Sequence, residues 1–345
     1  MIRRNFIKST SRLLLTLPLG MSVFDFQKHL GSKDLVVGHN THQYKVDLWW
    51  GALDPLRYPV KDCHEMVLDS KGRIVLLTNH TKNNVIIYNK DGKPVQTWGT
   101  EYPGAHGLTL VDEGGEDMLY ITDTERHEVI KTTLDGKVVM TLTYPADFEG
   151  YREAAQYVPT ETAIADNGDI FVADGYGAQY IMHYNAKGEL LNVFGGPGNE
   201  KDKFNNAHGI CIDKRSAIPS LLITARQQNK LKRFSLEGQW VENIDLPGAY
   251  ICRPVIKGEH VYLATIWSGD GSPNSGFVSI LDKNNKLISA PGGCDPHYDQ
   301  NDLAPMYQNL QLFKHPHDVC VDEDENIYVA QWNAGQVYPY KLIRI

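Results

Sequence analysis

His106-Gly-Leu-Thr-Leu-Val111 returns in register as His208-Gly-Ile-Cys-Ile-Asp213, His317-Asp-Val-Cys-Val-Asp322, His64-Glu-Met-Val-Leu-Asp69 and Thr160-Glu-Thr-Ala-Ile-Ala165. Each clear copy leads through a polar connection, such as Ser70-Lys-Gly72, Asp166-Asn-Gly168 or Asp324-Glu-Asn326, into an alternating strand such as Asp169-Ile-Phe-Val-Ala-Asp174. A third strand follows and closes in a polar hairpin, as in Val85-Ile-Ile-Tyr-Asn-Lys-Asp-Gly92 and Ile181-Met-His-Tyr-Asn-Ala-Lys-Gly188. Apolar alternation bounded by Asp-Gly and Asn-Gly type turns predicts antiparallel hairpins. A sixth, divergent copy occupies residues 251–293, with Val261-Tyr-Leu-Ala-Thr265 as one of its strands. Six units of about 40 residues, each a four-stranded sheet, predict an all-β, six-bladed β-propeller.

Ring closure follows from the ends of the pattern. The last copy stops after three strands, while an orphan strand, Tyr44-Lys-Val-Asp-Leu-Trp-Trp-Gly51, opens the repeat region. Residues 44–50 are therefore expected to complete the last blade. Residues 39–43 and 294–314 read as surface connections.

The 345 residues are expected to divide into an address at 1–38 and one propeller domain at 39–345. Arg3-Arg4-Asn5-Phe6-Ile7-Lys8 resembles the twin-arginine export signal, and a short apolar run broken by Pro18 and Gly20 follows it. This implies a periplasmic or secreted protein, with a membrane tether where the signal is retained. The net charge of −8 and the lack of a basic block beyond the N-terminus exclude the footprint of a nucleic-acid binder. Five cysteines, Cys63, Cys211, Cys252, Cys294 and Cys320, form no CxxC pair and no disulfide framework, leaving Cys252 with Cys294 as one candidate bridge.

In a propeller the innermost strands of all blades face one axis, so equivalent positions meet in space. At the register of the repeat these are His64, His106, Thr160, His208, a position near Arg253, and His317. With only 13 histidines in the chain, four in six slots is far more than composition supplies. Neutral imidazole is a common zinc ligand, and three histidines plus an open position is the arrangement of catalytic zinc. Asp318, beside one of these histidines, is costly to bury without a cation or donors. Asp69, Asp213 and Asp322 recur at strand ends and read as turn formers. Trp267 and Trp332 are candidates to reach a substrate pocket.

With these residues in place, the chain resembles NHL-repeat propellers, and within them the peptidyl-α-hydroxyglycine lyases (peptidylamidoglycolate lyases) of peptide amidation. The resemblance implies a catalytic zinc on His106, His208 and His317. It implies a structural calcium on the carbonyls of Met66 and Leu108 and the carboxylate of Asp318, oxygen donors suited to a hard cation. The Asp174-Gly175-Tyr176 turn corresponds to the one carrying the family's catalytic tyrosine, and Arg226 to a pocket arginine. The family's catalytic arginine falls on Asn79, with His80 and Lys82 beside it, and His64 is an additional imidazole; Asn79, His80 and His64 are expected near substrate. His315 stands where the family has an apolar residue.

The activity implied is a zinc-dependent carbon–nitrogen lyase that splits a small or peptide C-terminal α-hydroxyglycine into an amide and glyoxylate. No hydroxylating domain accompanies the propeller in this chain, so the hydroxyglycine is expected to be made elsewhere. Two other readings stay open: a non-catalytic, metal-stabilised periplasmic binding propeller, and a lactonase-like hydrolase.

Overall fold

A computed structural model describes residues 35–345; the twin-arginine and apolar segments lie outside the described residues. Six antiparallel sheets surround a central channel. The innermost strands, in chain order, are Cys63–Leu68, Ala105–Asp112, Glu161–Ile164, Ala207–Asp213, Ala249–Lys257 and Pro316–Val321, and they define blades one to six. Blades one to five each run outward through four sequential strands. Among the described residues, helix is confined to two 3-10 turns, Ala154–Gln156 and Arg226–Gln228, and no helix is long and apolar enough to cross a membrane.

The sequence pattern explains the layering. Second strands such as Ile74–Thr78 and Ile170–Ala173 are buried on both faces, because each blade is packed between two others. Outermost strands such as Pro94–Trp98 and Val138–Leu142 are largely half-buried or exposed. Six apolar clusters fill the spaces between neighbouring blades. Between blades three and four, for example, Phe171, Phe204 and Phe234 pack with Ile181, Ile210 and Ile223. Truncating one of these phenylalanines to alanine costs about 3–5 kcal/mol. The recurring strand-end aspartates close the first hairpins: Asp69 Oδ1 accepts the amides of Lys71 and Arg73 at 3.0 and 2.7 Å, and Asp322 Oδ1 those of Asp324 and Asn326 at 3.0 and 2.9 Å.

The ring closes as expected from the orphan strand, with shifted bounds. His42–Asp47 pairs with Tyr340–Arg344, Tyr44 opposite Arg344 and Asp47 opposite Lys341. Leu48 and the two tryptophans have already left the sheet. Residues 39–43 are not a simple connection: Val36–His39 folds back on His42–Asp47 as a fifth strand of blade six. The His39 amide donates to Ser289 Oγ of blade five at 2.8 Å. Within residues 294–314, a short Tyr298–Asp299 and Asp302–Leu303 hairpin lies outside the blades, while Met306, Leu312 and Phe313 are buried. All five cysteines are free, so the Cys252–Cys294 candidate bridge is absent.

Five of the six innermost strands carry a register break at the histidine level. Pairing with the second strand slips between Cys63 and Glu65, Ala105 and Leu108, Ala207 and Ile210, Ile251 and Pro254, and Pro316 and Asp318. A bulge inserts a residue and re-aims its side chain. Here it lets the histidine and the residue after it both serve the channel, in two successive layers.

Candidate metal centre and channel cavity

His64, His106, His208 and His317 are buried and meet at one end of the channel. Ring centroids lie 4.9 Å apart for His64–His106 and His64–His317, and 4.8 Å apart for His106–His208 and His106–His317. Two donor sets emerge, each with ligand atoms within 4.8 Å of one another: His64, His106 and His317, and His208, Cys252 and His317. The sixth slot, expected near Arg253, is Cys252; Arg253 lies one residue further along the bulged strand. Thr160, in the remaining slot, works through its backbone, with its carbonyl 2.8 Å from His106 Nδ1.

The hydrogen bonds assign tautomers. A carbonyl oxygen can only accept, so Nδ1 of His106 donates to Thr160 and Nδ1 of His317 donates to the His64 carbonyl at 3.0 Å. Each ring then presents Nε2 as a lone pair. Burial holds all four imidazoles below their ordinary pKa, His64 down to about 3, with neighbouring cationic or imidazole groups adding to it. Neutral imidazoles are the form that binds a metal. His64 Nδ1, His208 Nδ1 and His317 Nε2 are buried with no hydrogen-bond partner among the described residues. Such orphaned atoms are costly in a native interior, and a cation held by either donor set would meet two of these three rings, so the donors fit zinc; the expected triad His106, His208 and His317 is divided between the two sets.

Above the imidazoles opens a cavity of about 610 Å³, lined among others by Asn79, Tyr176, Arg226, Trp267 and Trp332. Tyr176 reaches it from a turn anchored by Asp174. That carboxylate accepts from the Tyr151 hydroxyl at 2.6 Å and the amides of Val158 and Ala178 at 2.6 and 2.5 Å, and burial pushes it up to about 6. Gly175 is required by proximity, because a Cβ there would lie 2.1 Å from the Ala207 carbonyl oxygen. The Tyr176 hydroxyl sits 3.1 Å from Nε2 of both His106 and His208, and 3.5 Å from Arg226 Nη1. Tyr176 is 44% exposed, its ring open to the cavity; desolvation of the hydroxyl among the imidazoles raises its pKa, and the Arg226 guanidinium opposes that rise. Arg226 is itself buried and places Nη2 3.1 Å from Cys252 Sγ.

The other expected residues are divided. Asn79 lines the cavity, but its amide is engaged by Asp62: Nδ2 donates to Asp62 Oδ2 at 3.1 Å, and Oδ1 accepts the Asp62 amide at 3.0 Å. His80 stands outside the lining and accepts the Lys82 amide at 3.1 Å. His315 is buried beside Trp332 and accepts the Asn274 amide at 3.1 Å.

Met66, Leu108 and Asp318 do converge on the axis, one layer below the histidines. The group at their centre is Arg253. Its guanidinium donates to the carbonyls of Met66 and Leu108 at 2.9 and 3.2 Å, and to Asp318 Oδ1 and Oδ2 at 3.1 and 2.8 Å. A calcium ion needs about 6–8 oxygens at 2.3–2.6 Å, and here those oxygens are already spent on a guanidinium. The expected calcium set does not fit the ion. Nothing in the repeat pattern marked Arg253 for this place, because two of its acceptors are backbone carbonyls of other blades.

No protein-family model matches the chain. Over 272 residues, 72% of its length, it is 29% identical to peptidyl-alpha-hydroxyglycine alpha-amidating lyase 1 of Drosophila melanogaster, of which the match spans 47%. It is also 29% identical, over 44% of its length, to a probable peptidyl-alpha-hydroxyglycine alpha-amidating lyase of Caenorhabditis elegans, spanning 43% of that protein. The chain thus spans less than half the length of these two relatives. A third relative, NHL repeat-containing protein 3 of Mus musculus, is 23% identical over 86% of the chain and 84% of its own length.

The chain is a six-bladed β-propeller similar to an NHL repeat-containing protein and to the peptidyl-α-hydroxyglycine lyases. Solved structures agree on the fold. Virginiamycin B lyase from Staphylococcus aureus superposes with a TM-score of 0.55 at 13% identity, over 84% of this chain and 98% of that one. A gluconolactonase from Xanthomonas campestris gives 0.56 at 11% identity, over 83% and 87%. At such identities the likeness concerns the propeller fold alone.

Proposed function

We propose that the protein is a metal-dependent lyase that cleaves an α-hydroxyglycine-type substrate, small or peptide C-terminal, into an amide and glyoxylate. The observation that carries this reading is the Tyr176 hydroxyl, held over the imidazoles of His106 and His208 and beside Arg226, at the floor of an open cavity. His106, His208 and His317 would hold zinc, which, when bound, polarises a substrate oxygen and lowers the pKa of its hydroxyl. The relatives named as lyases support the reaction class.

In this reading Tyr176 acts as phenolate, the charges of Arg226 and of a zinc held beside it offsetting the rise that desolvation gives its pKa, and takes the proton of the substrate hydroxyl. The C–O bond becomes a carbonyl, the C–N bond breaks with its electron pair passing to nitrogen, and the proton held by Tyr176 returns to that nitrogen. Arg226 favours the phenolate by its charge, and its guanidinium faces the cavity where a carboxylate would enter. Trp267 and Trp332 offer apolar walls. The Arg3–Arg4 segment supports export by the twin-arginine route to the periplasm or beyond, and a retained apolar run would tether the enzyme to the membrane.

A second reading, a non-catalytic metal-binding propeller, is favoured by His64. Its imidazole joins His106 and His317 in one donor set and could occupy the position that catalytic zinc leaves open. The two readings part in one assay. Zinc-loaded protein should release glyoxylate from α-hydroxyhippurate, and EDTA should stop the release; a zinc-loaded protein that gives none removes the lyase reading.

A further inference from the structure

The residue after each channel imidazole, or its equivalent, forms a second layer: Glu65, Gly107, Glu161, Gly209, Arg253 and Asp318. All four charged members are buried. Arg253 Nε lies 3.5 Å from Glu65 Oε2 and 3.7 Å from Glu161 Oε2, in addition to its bonds to Asp318. With the carbonyls of Met66 and Leu108, the layer gathers oxygen donors from four blades around a single point. Such a set, acidic and oxygen-only, is what a hard divalent cation selects. Gly209 makes the placement possible, since a Cβ there would lie 2.5 Å from the Arg253 Cα.

We propose that the Arg253 guanidinium is the axial cation of this propeller, a covalently built substitute for a structural metal ion, and that the layer takes up Ca²⁺ only when that guanidinium is removed. The geometry has the properties of such a substitute. Asp318 is met through two nitrogens, Nε and Nη2, the bidentate fork that suits guanidinium to carboxylate. Nη1 reaches Leu108, 145 residues away, and Nη2 is shared with Met66, 187 residues away. One side chain of blade five thereby ties blades one, two and six. An ion placed beside it would face a like charge, and would find both Asp318 oxygens already accepting from Arg253 and, at 2.8 Å, from the Met66 amide. The inference does not depend on the lyase reading, because it concerns a layer below the cavity.

The test compares thermal unfolding and bound metal in the zinc-loaded full chain and in Arg253→Ala, each with and without added CaCl2 at millimolar concentration. The wild type should keep the same Tm in both conditions and retain no calcium after dialysis. Arg253→Ala should lose about 5–10 °C, since breaking a buried pair leaves carboxylates uncompensated, and should regain part of that loss with calcium. A calcium-induced rise in the wild-type Tm, or stoichiometric calcium in the wild type, overturns the proposal even where the variant fails to fold. So does a variant that is destabilised but blind to calcium, or one as stable as the wild type.

Discussion

Nδ1 of His317 donates at 3.0 Å to the backbone carbonyl of His64, a residue 253 positions away and in the neighbouring blade. The bond fixes the ring tautomer of one candidate ligand by means of the residue that carries another. His106 is set in the same manner by Thr160. The blades therefore orient each other's imidazoles, as second partners of metal-binding histidines do.

Replacing His106, His208 or His317 by alanine should each remove close to one equivalent of bound zinc, because a site with three protein ligands seldom survives losing one. His64→Ala should weaken zinc without abolishing it, as the other three imidazoles remain. Metal analysis of the purified variants decides this, and full zinc in all three single variants excludes the site as drawn.

Tyr176→Phe should lower glyoxylate release by about 10²-fold to 10⁴-fold, the usual contribution of a proton-transfer group. Zinc content should stay unchanged, since the hydroxyl is a proton acceptor and not a ligand. Full activity in this variant would assign proton transfer to another group.

The apo protein should lose stability in acid through its channel histidines. Burial depresses their folded-state pKa values, His64 to about 3, whereas in the unfolded chain an imidazole titrates near 6.5. Between those values the unfolded state binds more protons, so this contribution is complete above about 6.5 and shrinks as pH falls. Asp174, raised to about 6 by burial, acts in the opposite sense, so the informative quantity is a difference. His64→Asn should show a shallower fall of Tm from pH 7 to pH 5 than the wild type, and parallel curves would contradict a neutral, buried His64.

Asn79→Arg alone should do little for substrate binding, because Asp62 would pair with the new guanidinium as it now pairs with the Asn79 amide. Asp62 also accepts the Asn333 amide at 2.9 Å. Combining Asn79→Arg with Asp62→Asn should lower KM for an α-hydroxyglycine carboxylate. A double variant with unchanged KM places carboxylate recognition elsewhere, with Arg226 the next candidate.

The ring and its four histidines were legible because a six-residue phrase repeats with His at the same place, and a propeller brings equivalent places together. Where the phrase degenerates, in blade five, the reading reached only a position near Arg253, and the residue in the slot is its neighbour Cys252. A bulge shifts the pairing there, and cysteine does not announce itself beside histidines. The outer strand Val36–His39 was missed because the chain turns back at Asn40 and Thr41 without the Gly-containing pair that signals most short hairpins. The guanidinium seat was illegible for a different reason. Two of its acceptors are main-chain oxygens, which carry no residue identity, and they lie 145 and 187 residues from Arg253.

The strand His42–Asp47 joins the beginning of the repeat region to its end, and if the histidine cluster takes a metal, this would make its capture a late event in the life of the chain. His64 stands in the first blade and His317 in the last, so the two cannot approach until that clasp has shut and the large entropy of so long a loop has been overcome. After closure they are dry, neutral and aimed. Uptake of an ion by this cluster would therefore mark a completed ring, and an ion bound only by the finished circle would in turn hold it shut by mass action.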